Sequence, residues 1–181
     1  MNKTKENKVY ILDTSAILSG KPLDFPDASM ITTFSVSSEL QPGGKDYQNF
    51  LYLKDKGLEF QIPSEESIDF IEKTSEKTGD SGRISKVDLE ILALALDLQK
   101  KGLDVIILSD DYSIQNIASE LELNFESISQ KGITKRLKWG VRCRGCGKKF
   151  KEDISVCLIC GSDTKKIVIS GTEIKKQSDI Q

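Results

Sequence analysis

The sequence predicts an α/β fold, a parallel sheet covered by helices on both faces, followed by a small cysteine-anchored module. Three observations carry that expectation. Short apolar, β-prone runs alternate with helical stretches from Val9 to Ile128, an order that closes through right-handed crossovers into a parallel sheet. The stretch Leu89, Ile91, Leu92, Ala93, Leu94, Ala95, Leu96 and Leu98 is apolar nearly all round a helix, and Val105–Leu108 beyond it is a continuous apolar strand. Such a helix is buried, and such a strand is covered on both faces. After Gln130 the alternation stops, and four cysteines follow as CxxC-x10-CxxC.

Taken in order, Val9–Leu12 is the first strand, and Thr14 or Ser15 caps a short helix after Asp13. Residues 20–29, with Pro22 and Pro26, form a loop. Met30–Val36 is the second strand, and Ser37 or Ser38 opens a helical turn carrying Glu39. Pro42-Gly43-Gly44 interrupts it, Tyr47–Lys56 is a helix stopped by Gly57, and Leu58–Ile62 is a weaker strand. Ser64–Lys73 is helical, whereas Thr74–Arg83 has the polar, small-residue composition of a flexible loop. Ser85 and Asp88 have capping-box spacing at the head of the buried helix, which Gly102 ends. After Ser109-Asp110-Asp111 come a helix through Leu121 and a last strand near residues 124–128. The expected division is residues 1–130 for the α/β domain, 131–141 for a basic linker, 142–170 for the cysteine module and 171–181 for a polar tail.

The composition excludes whole classes of chemistry. The 181-residue chain contains no histidine, which removes Ser-His-Asp and Cys-His catalysis and the imidazole zinc sites. No apolar run approaches the roughly 20 residues that cross a bilayer, so no membrane is expected. The start, MNKTKENKVYILDTS, reads as a first strand rather than a signal peptide. Four cysteines without a signal point to a reducing, cytoplasmic compartment. Charge is uneven: residues 131–166 hold eleven Lys or Arg against three acids, a balance of +8 that leaves −10 elsewhere in a chain of net −2. A basic module on an acidic body suits one part that grips a polyanion and another that holds cations.

Cys143, Cys146, Cys157 and Cys160 form two CxxC knuckles. Each knuckle presents two sulfurs on one side, and two knuckles complete a tetrahedron about one structural Zn²⁺. Disulfides, buried thiols and an iron–sulfur cluster are the less favoured alternatives. A segment this short buries too little apolar surface to fold alone, so the metal would supply much of its folding energy. Lys135, Arg136, Lys138, Arg142, Arg144, Lys148, Lys149 and Lys151 lie in or before this module, with Trp139 interleaved. Cations that meet phosphates and an aromatic that stacks bases make these nine the expected RNA contacts. The alternative is a solvated charged face with Trp139 packed on the module.

In an open parallel sheet, functional side chains gather at the carboxyl ends of the strands. Asp13 ends the first strand, Glu39 sits one turn beyond the second, Asp110 and Asp111 follow Val105–Leu108, and Asp88 lies in the first turn of the buried helix. Each acid alone could be a helix cap or a surface charge. Converging carboxylates repel unless a cation neutralises them, and oxygen donors without histidine select Mg²⁺ or Mn²⁺.

The order Asp13-Thr-Ser-Ala-Ile-Leu, Thr33-x-x-Val36-x-x-Glu39-Leu40, Asp88 at the head of a Leu/Ala-rich helix, and Ser109-Asp110-Asp111 after a hydrophobic strand resembles the PIN nuclease family. With Asp110-Asp111-Tyr-Ser-Ile-Gln-Asn and the four-cysteine module, residues 8–165 are similar to the Nob-type (Nin-one-binding) endonucleases that mature the 3′ end of small-subunit ribosomal RNA. The resemblance implies a PIN-like three-layer α/β/α fold with a zinc ribbon, and a metal-dependent hydrolase cutting single-stranded RNA to leave 5′-phosphate and 3′-hydroxyl ends. It implies that Asp13, Glu39, Asp88 and Asp111 are catalytic and hold Mg²⁺ or Mn²⁺. Asp110 would coordinate, cap or point away, Ser109 would be the small hydroxyl beside the pocket, and Thr14 and Ser15 would support Asp13 or cap its helix. Precursor small-subunit rRNA in a pre-ribosomal particle and protein assembly factors are the implied partners. A non-catalytic assembly factor that binds RNA or protein is the alternative, with a toxin-type ribonuclease or an inert domain carrying a transcription-factor-like ribbon further behind.

Overall fold

Two sheets, one parallel and one antiparallel, organise the computed structural model, which describes residues 7–79, 82–128 and 135–173. The first half of the chain runs β1 (Lys8–Leu12), α1 (Thr14–Leu18), β2 (Ser29–Thr32), α2 (Phe34–Glu39), α3 (Lys45–Asp55), β3 (Glu59–Phe60) and α4 (Glu65–Thr78). It continues with α5 (Lys86–Lys100), β4 (Asp104–Leu108), α6 (Tyr112–Glu120), β5 (Asn124–Glu126), β6 (Lys135–Cys143), β7 (Lys149–Phe150) and β8 (Thr164–Glu173). The first five strands form a wholly parallel sheet in the order β3-β2-β1-β4-β5, with helices on both sides. Ile11 and Leu12 of β1 and Ile107 and Leu108 of β4 are buried, and so are Ile91, Leu92, Ala93, Leu94, Ala95 and Leu98 of α5. The buried helix and the doubly covered strands are therefore as the sequence predicts. Burying each large side chain of this core stabilises the fold by about 1.5–3 kcal/mol.

Several boundaries differ from those expected. The second strand ends at Thr32, not Val36, because Thr33 takes an extended N-cap conformation and α2 starts at Phe34. Ser37 and Ser38 thus lie inside α2 and bond back to the Phe34 carbonyl, rather than opening a turn. Asp13, not Thr14 or Ser15, is the N-cap of α1. β3 and β5 are shorter than expected. Helix α4 runs on through Thr78 where a loop was expected. There Thr74, Ser75 and Thr78 are buried, with their hydroxyls satisfied by the Phe70, Glu72 and Ser75 carbonyls. Hydroxyls that bond back to the preceding turn let polar residues remain helical.

β6, β7 and β8 form a separate antiparallel sheet in the order β7-β6-β8. From Lys135 onward the segment expected as a linker is strand, and β8 takes in residues 171–173 of the expected tail. Residues 131–134 and 174–181 lie outside the described residues. The two sheets meet at specific contacts. Asn116 of α6 accepts from the Leu137 amide at 2.6 Å and donates to its carbonyl at 2.8 Å. The Arg83 guanidinium lies 4.0 Å from the centre of the Trp139 ring. Gly79 closes α4 with φ +80°, and a Cβ there would sit 2.7 Å from the Trp139 carbonyl oxygen. Only glycine serves both the left-handed turn and this close approach.

Candidate active site and cysteine centre

Asp13 leaves β1 at its carboxyl end and is 3% exposed. Its Oδ1 accepts from the Thr14 amide at 2.7 Å, and its Oδ2 accepts from the Ser15 and Ser109 hydroxyls, each at 2.8 Å. Those hydroxyls also accept, Ser15 from the Asp110 amide and Ser109 from the Asp111 amide, both at 3.0 Å. Two serines therefore lace the end of β1 to the turn that leaves β4. Burial pushes the Asp13 carboxyl above its usual range, and the hydrogen bonds from Ser15, Ser109 and Thr14 offset part of that rise.

Asp88 stands in the first turn of α5, where its Oδ2 accepts from the Ser85 amide at 2.8 Å while the Ser85 hydroxyl accepts from the Asp88 amide at 3.2 Å. The capping box that the spacing predicts is present. Burial raises the Asp88 carboxyl, and the negative charges of Asp13 and Asp111 raise it further. Asp111 caps α6 by accepting from the Ser113 amide at 2.6 Å. Glu39, the exposed last residue of α2, accepts from the Thr14 hydroxyl at 2.5 Å. Thr14 thus ties Glu39 to Asp13, and Ser109 ties the backbone of Asp111 to it.

Asp110 behaves differently from its neighbour. Its Oδ1 accepts from the Ile128 amide at 2.8 Å, and the Lys21 ammonium donates to the Ile128 carbonyl. Asp110 therefore anchors the segment beyond β5. Gln115, fully buried, donates to the Ser109 carbonyl at 2.7 Å and to the Ser127 hydroxyl at 3.1 Å. The sequence offered Gln115 and Asn116 only as letters of a motif; the contacts give them positioning work. Thr33 carries the one buried side-chain oxygen or nitrogen without a hydrogen-bond partner among the described residues. It stands two residues past Ile31 of β2, as Asp13 stands two residues past Ile11 of β1, and those two isoleucines are paired. No rule of sequence reading singles out such a hydroxyl.

Hard oxygen donors of one sign, two of them with raised carboxyls, and an unpartnered hydroxyl at the neighbouring strand end fit a divalent cation. The cysteines fit a softer ion. Their four sulfurs all lie within 4.8 Å of one another, with Cys143 and Cys160 at 3.4 Å and Cys146 and Cys157 at 3.7 Å. A tetrahedron with Zn–S of about 2.3 Å has edges of about 3.8 Å, whereas a disulfide needs about 2.05 Å. The Gly145 and Cys146 amides point at the Cys143 sulfur, both at 3.3 Å, and the Ile159 amide points at Cys157 at 3.4 Å. Hydrogen bonds from the Ser162 hydroxyl and amide lower the Cys160 thiol to about 6. The cluster thus fits the zinc ribbon that the spacing predicts.

Among the expected RNA contacts, Lys138, Arg142, Arg144, Lys148, Lys149 and Lys151 are exposed. Lys135 and Arg136 lie in β6, their side chains outside the description. Trp139 is half-buried, with Arg83 over its ring, which places it at the junction between the sheets. Arg142 pairs directly with Lys149 on β7 and with Lys165 on β8. Three exposed cations side by side across a sheet are destabilising in isolation. Lys165 lies outside the nine expected contacts, and strand register sets it beside Arg142.

Comparison with known proteins gives the family. A family profile described as the PIN domain of ribonuclease matches residues 10–98. The chain belongs to the PIN-domain endoribonucleases and is a nuclease, hence a hydrolase. Its relatives include the protein named Endoribonuclease Nob1 from Archaeoglobus fulgidus, 36% identical over 86% of this chain and 89% of that protein. The Nob1 endoribonuclease of Pyrococcus abyssi is 34% identical over 87% of this chain and 92% of its own length. Ribonuclease VapC1 of Thermoplasma acidophilum is 37% identical over 87% and 77%, respectively. No described helix is long and apolar enough to cross a membrane.

Proposed function

We propose that this endoribonuclease cuts single-stranded RNA at the 3′ end of precursor small-subunit rRNA, in the cytoplasm, within a pre-ribosomal particle and alongside other assembly factors. Its similarity to the Nob1 proteins supports the substrate. The observation that carries the chemistry is the hydrogen-bonded junction at Asp13, where Thr14 bridges to Glu39 and Ser109 bridges to the backbone of Asp111. In this reading Asp13, Glu39, Asp88 and Asp111 hold Mg²⁺ or Mn²⁺, and Cys143, Cys146, Cys157 and Cys160 hold one structural Zn²⁺. A bound divalent ion makes a water nucleophilic near neutrality and offsets charge on the phosphate's non-bridging oxygens.

The chain's own groups prepare that site. Ser15 and Ser109 fix the Asp13 carboxylate, Thr14 orients Glu39, and the Asp88 capping box holds a carboxylate facing the others. Asp110 and Gln115 keep the β4–α6 turn in place. The cation row Lys149–Arg142–Lys165, with Lys138, Arg144, Lys148 and Lys151 nearby, grips phosphates and leaves chemistry to the acidic edge. The test is incubation of the full chain with an RNA spanning the small-subunit rRNA 3′ end and Mn²⁺, followed by end mapping. One discrete cut with a 5′-phosphate on the downstream product, abolished by chelator, is expected. Cleavage scattered along the RNA, or unaffected by chelation, would contradict the reading.

A further inference from the structure

The acidic edge is flanked by two exposed aromatics. Phe34 is the first residue of α2, and Tyr112 is the first residue of α6. Phe34 lies two residues beyond the end of β2, and Tyr112 lies four residues beyond the end of β4. Those strands, β2 and β4, are the two neighbours of β1, so the aromatics stand on opposite sides of Asp13. Phe34 is 53% exposed and Tyr112 is 50% exposed, although each side chain has an apolar body that solvent does not favour. Each shares its helix with a pocket acid, Glu39 at the end of α2 and Asp111 at the cap of α6.

Around Phe34 the surface suits a polyanion with stacking bases. The Phe60 ring lies 5.3 Å from the Phe34 ring, and the Lys54 ammonium lies 5.8 Å from the centre of Phe60. Ile62, just beyond β3, is 79% exposed and extends the apolar row along the same edge. Aromatic faces with a nearby cation are how proteins hold single strands irrespective of sequence, because every base has a π-face. Strands two apart are separated by about 10 Å, room for one phosphodiester link over the acids with a base laid to either side.

Resting on the endoribonuclease reading, we propose that Phe34 and Tyr112 are substrate-positioning residues that stack the two bases flanking the scissile phosphate. Acids repel the RNA backbone, so stacking on both sides presents the phosphate to the pocket without adding charge. The strand is then held by its bases where its phosphate must be cut.

The experiment uses the full chain, Mn²⁺ and a single-stranded RNA oligonucleotide, with intact bases or abasic residues on both sides of the cut. Phe34→Ala and Tyr112→Ala are each expected to raise KM about 5- to 100-fold, far more than they lower kcat. Phe34→Trp and Tyr112→Phe should stay near wild type. The abasic RNA should bring wild type down to the level of a variant carrying both alanines, leave that double variant no worse, and erase the difference between wild type and each single variant. Alanine variants with unchanged KM would overturn the proposal. So would losses that persist undiminished on abasic RNA, or a change in oligomeric state that accounts for them. RNA affinity by fluorescence anisotropy gives the same comparison without turnover, so a wild-type chain that binds but does not cut removes the nuclease reading while still deciding the stacking one.

Discussion

Asp13 and Asp88 share a destabilising property. Burial raises both carboxyls, and for Asp88 the charges of Asp13 and Asp111 add to it. The folded state therefore binds protons more tightly than the unfolded chain, whose Asp values lie at about 3.9. Between that value and the raised folded value the native state holds more protons, so stability of metal-free protein falls as pH rises through the window. Asp88→Asn removes the penalty. Under chelation its melting temperature at pH 7 should exceed that of wild type by a few degrees, with the difference shrinking toward pH 4. Mn²⁺ should raise the melting temperature of wild type more than that of the variant. The sequence placed Asp13, Glu39, Asp88 and Asp111 correctly at strand and helix ends, because capping and catalysis ask for the same residue types at the same junctions. It could not separate Asp110 from Asp111, since that difference lies in which carboxylate meets the Ile128 amide.

At the level of elements, Asp97 shows how α4 is seated on α5. It accepts from the Ser64 amide at 2.6 Å, the Ser64 hydroxyl at 2.8 Å and the Ser67 hydroxyl at 2.6 Å. Partial burial would raise this carboxyl, but the Ser67 and Ser64 hydrogen bonds outweigh it and the net shift is downward. Its stabilisation is thus present above the unfolded value and is lost as pH falls through the lowered folded one. Asp97→Ala should cost about 1–3 kcal/mol in urea unfolding at neutral pH, and the cost should vanish in strong acid. Element type was legible wherever apolar periodicity was strong, as in α5 and β4. The boundaries misplaced around α2 and α4 involve hydroxyl residues: Thr33 at a cap, Ser37 and Ser38 within α2, and Thr74, Ser75 and Thr78 within α4. A hydroxyl that bonds the helix backbone looks, in one dimension, like one that breaks it.

For the molecule as a whole, the two sheets divide the charge. The acidic edge holds cations, and the ribbon carries the row Lys149–Arg142–Lys165. A simultaneous change of those three to alanine should weaken RNA binding and reduce the magnitude of the logarithmic salt slope by about 2, at roughly 0.7 per single-strand contact. Removing an anion-free repulsion, the same changes should leave the fold at least as stable. An unchanged slope by anisotropy across a salt series would reject the division of labour. The cysteine spacing made the ribbon plain from the sequence. Its seating did not show there: the Asn116–Leu137 bonds and the Arg83–Trp139 stack join residues far apart in the chain, and no local pattern marks them.

The most direct test pairs cation binding with cleavage in one protein. Zinc-loaded wild type and Asp13→Asn, matched by circular dichroism, are titrated with Mn²⁺ by electron paramagnetic resonance and assayed on the same RNA. Loss of both tight Mn²⁺ binding and cleavage in the folded variant is the predicted result. A variant that binds Mn²⁺ and cuts RNA as wild type does would contradict a shared carboxylate site at the edge of this sheet.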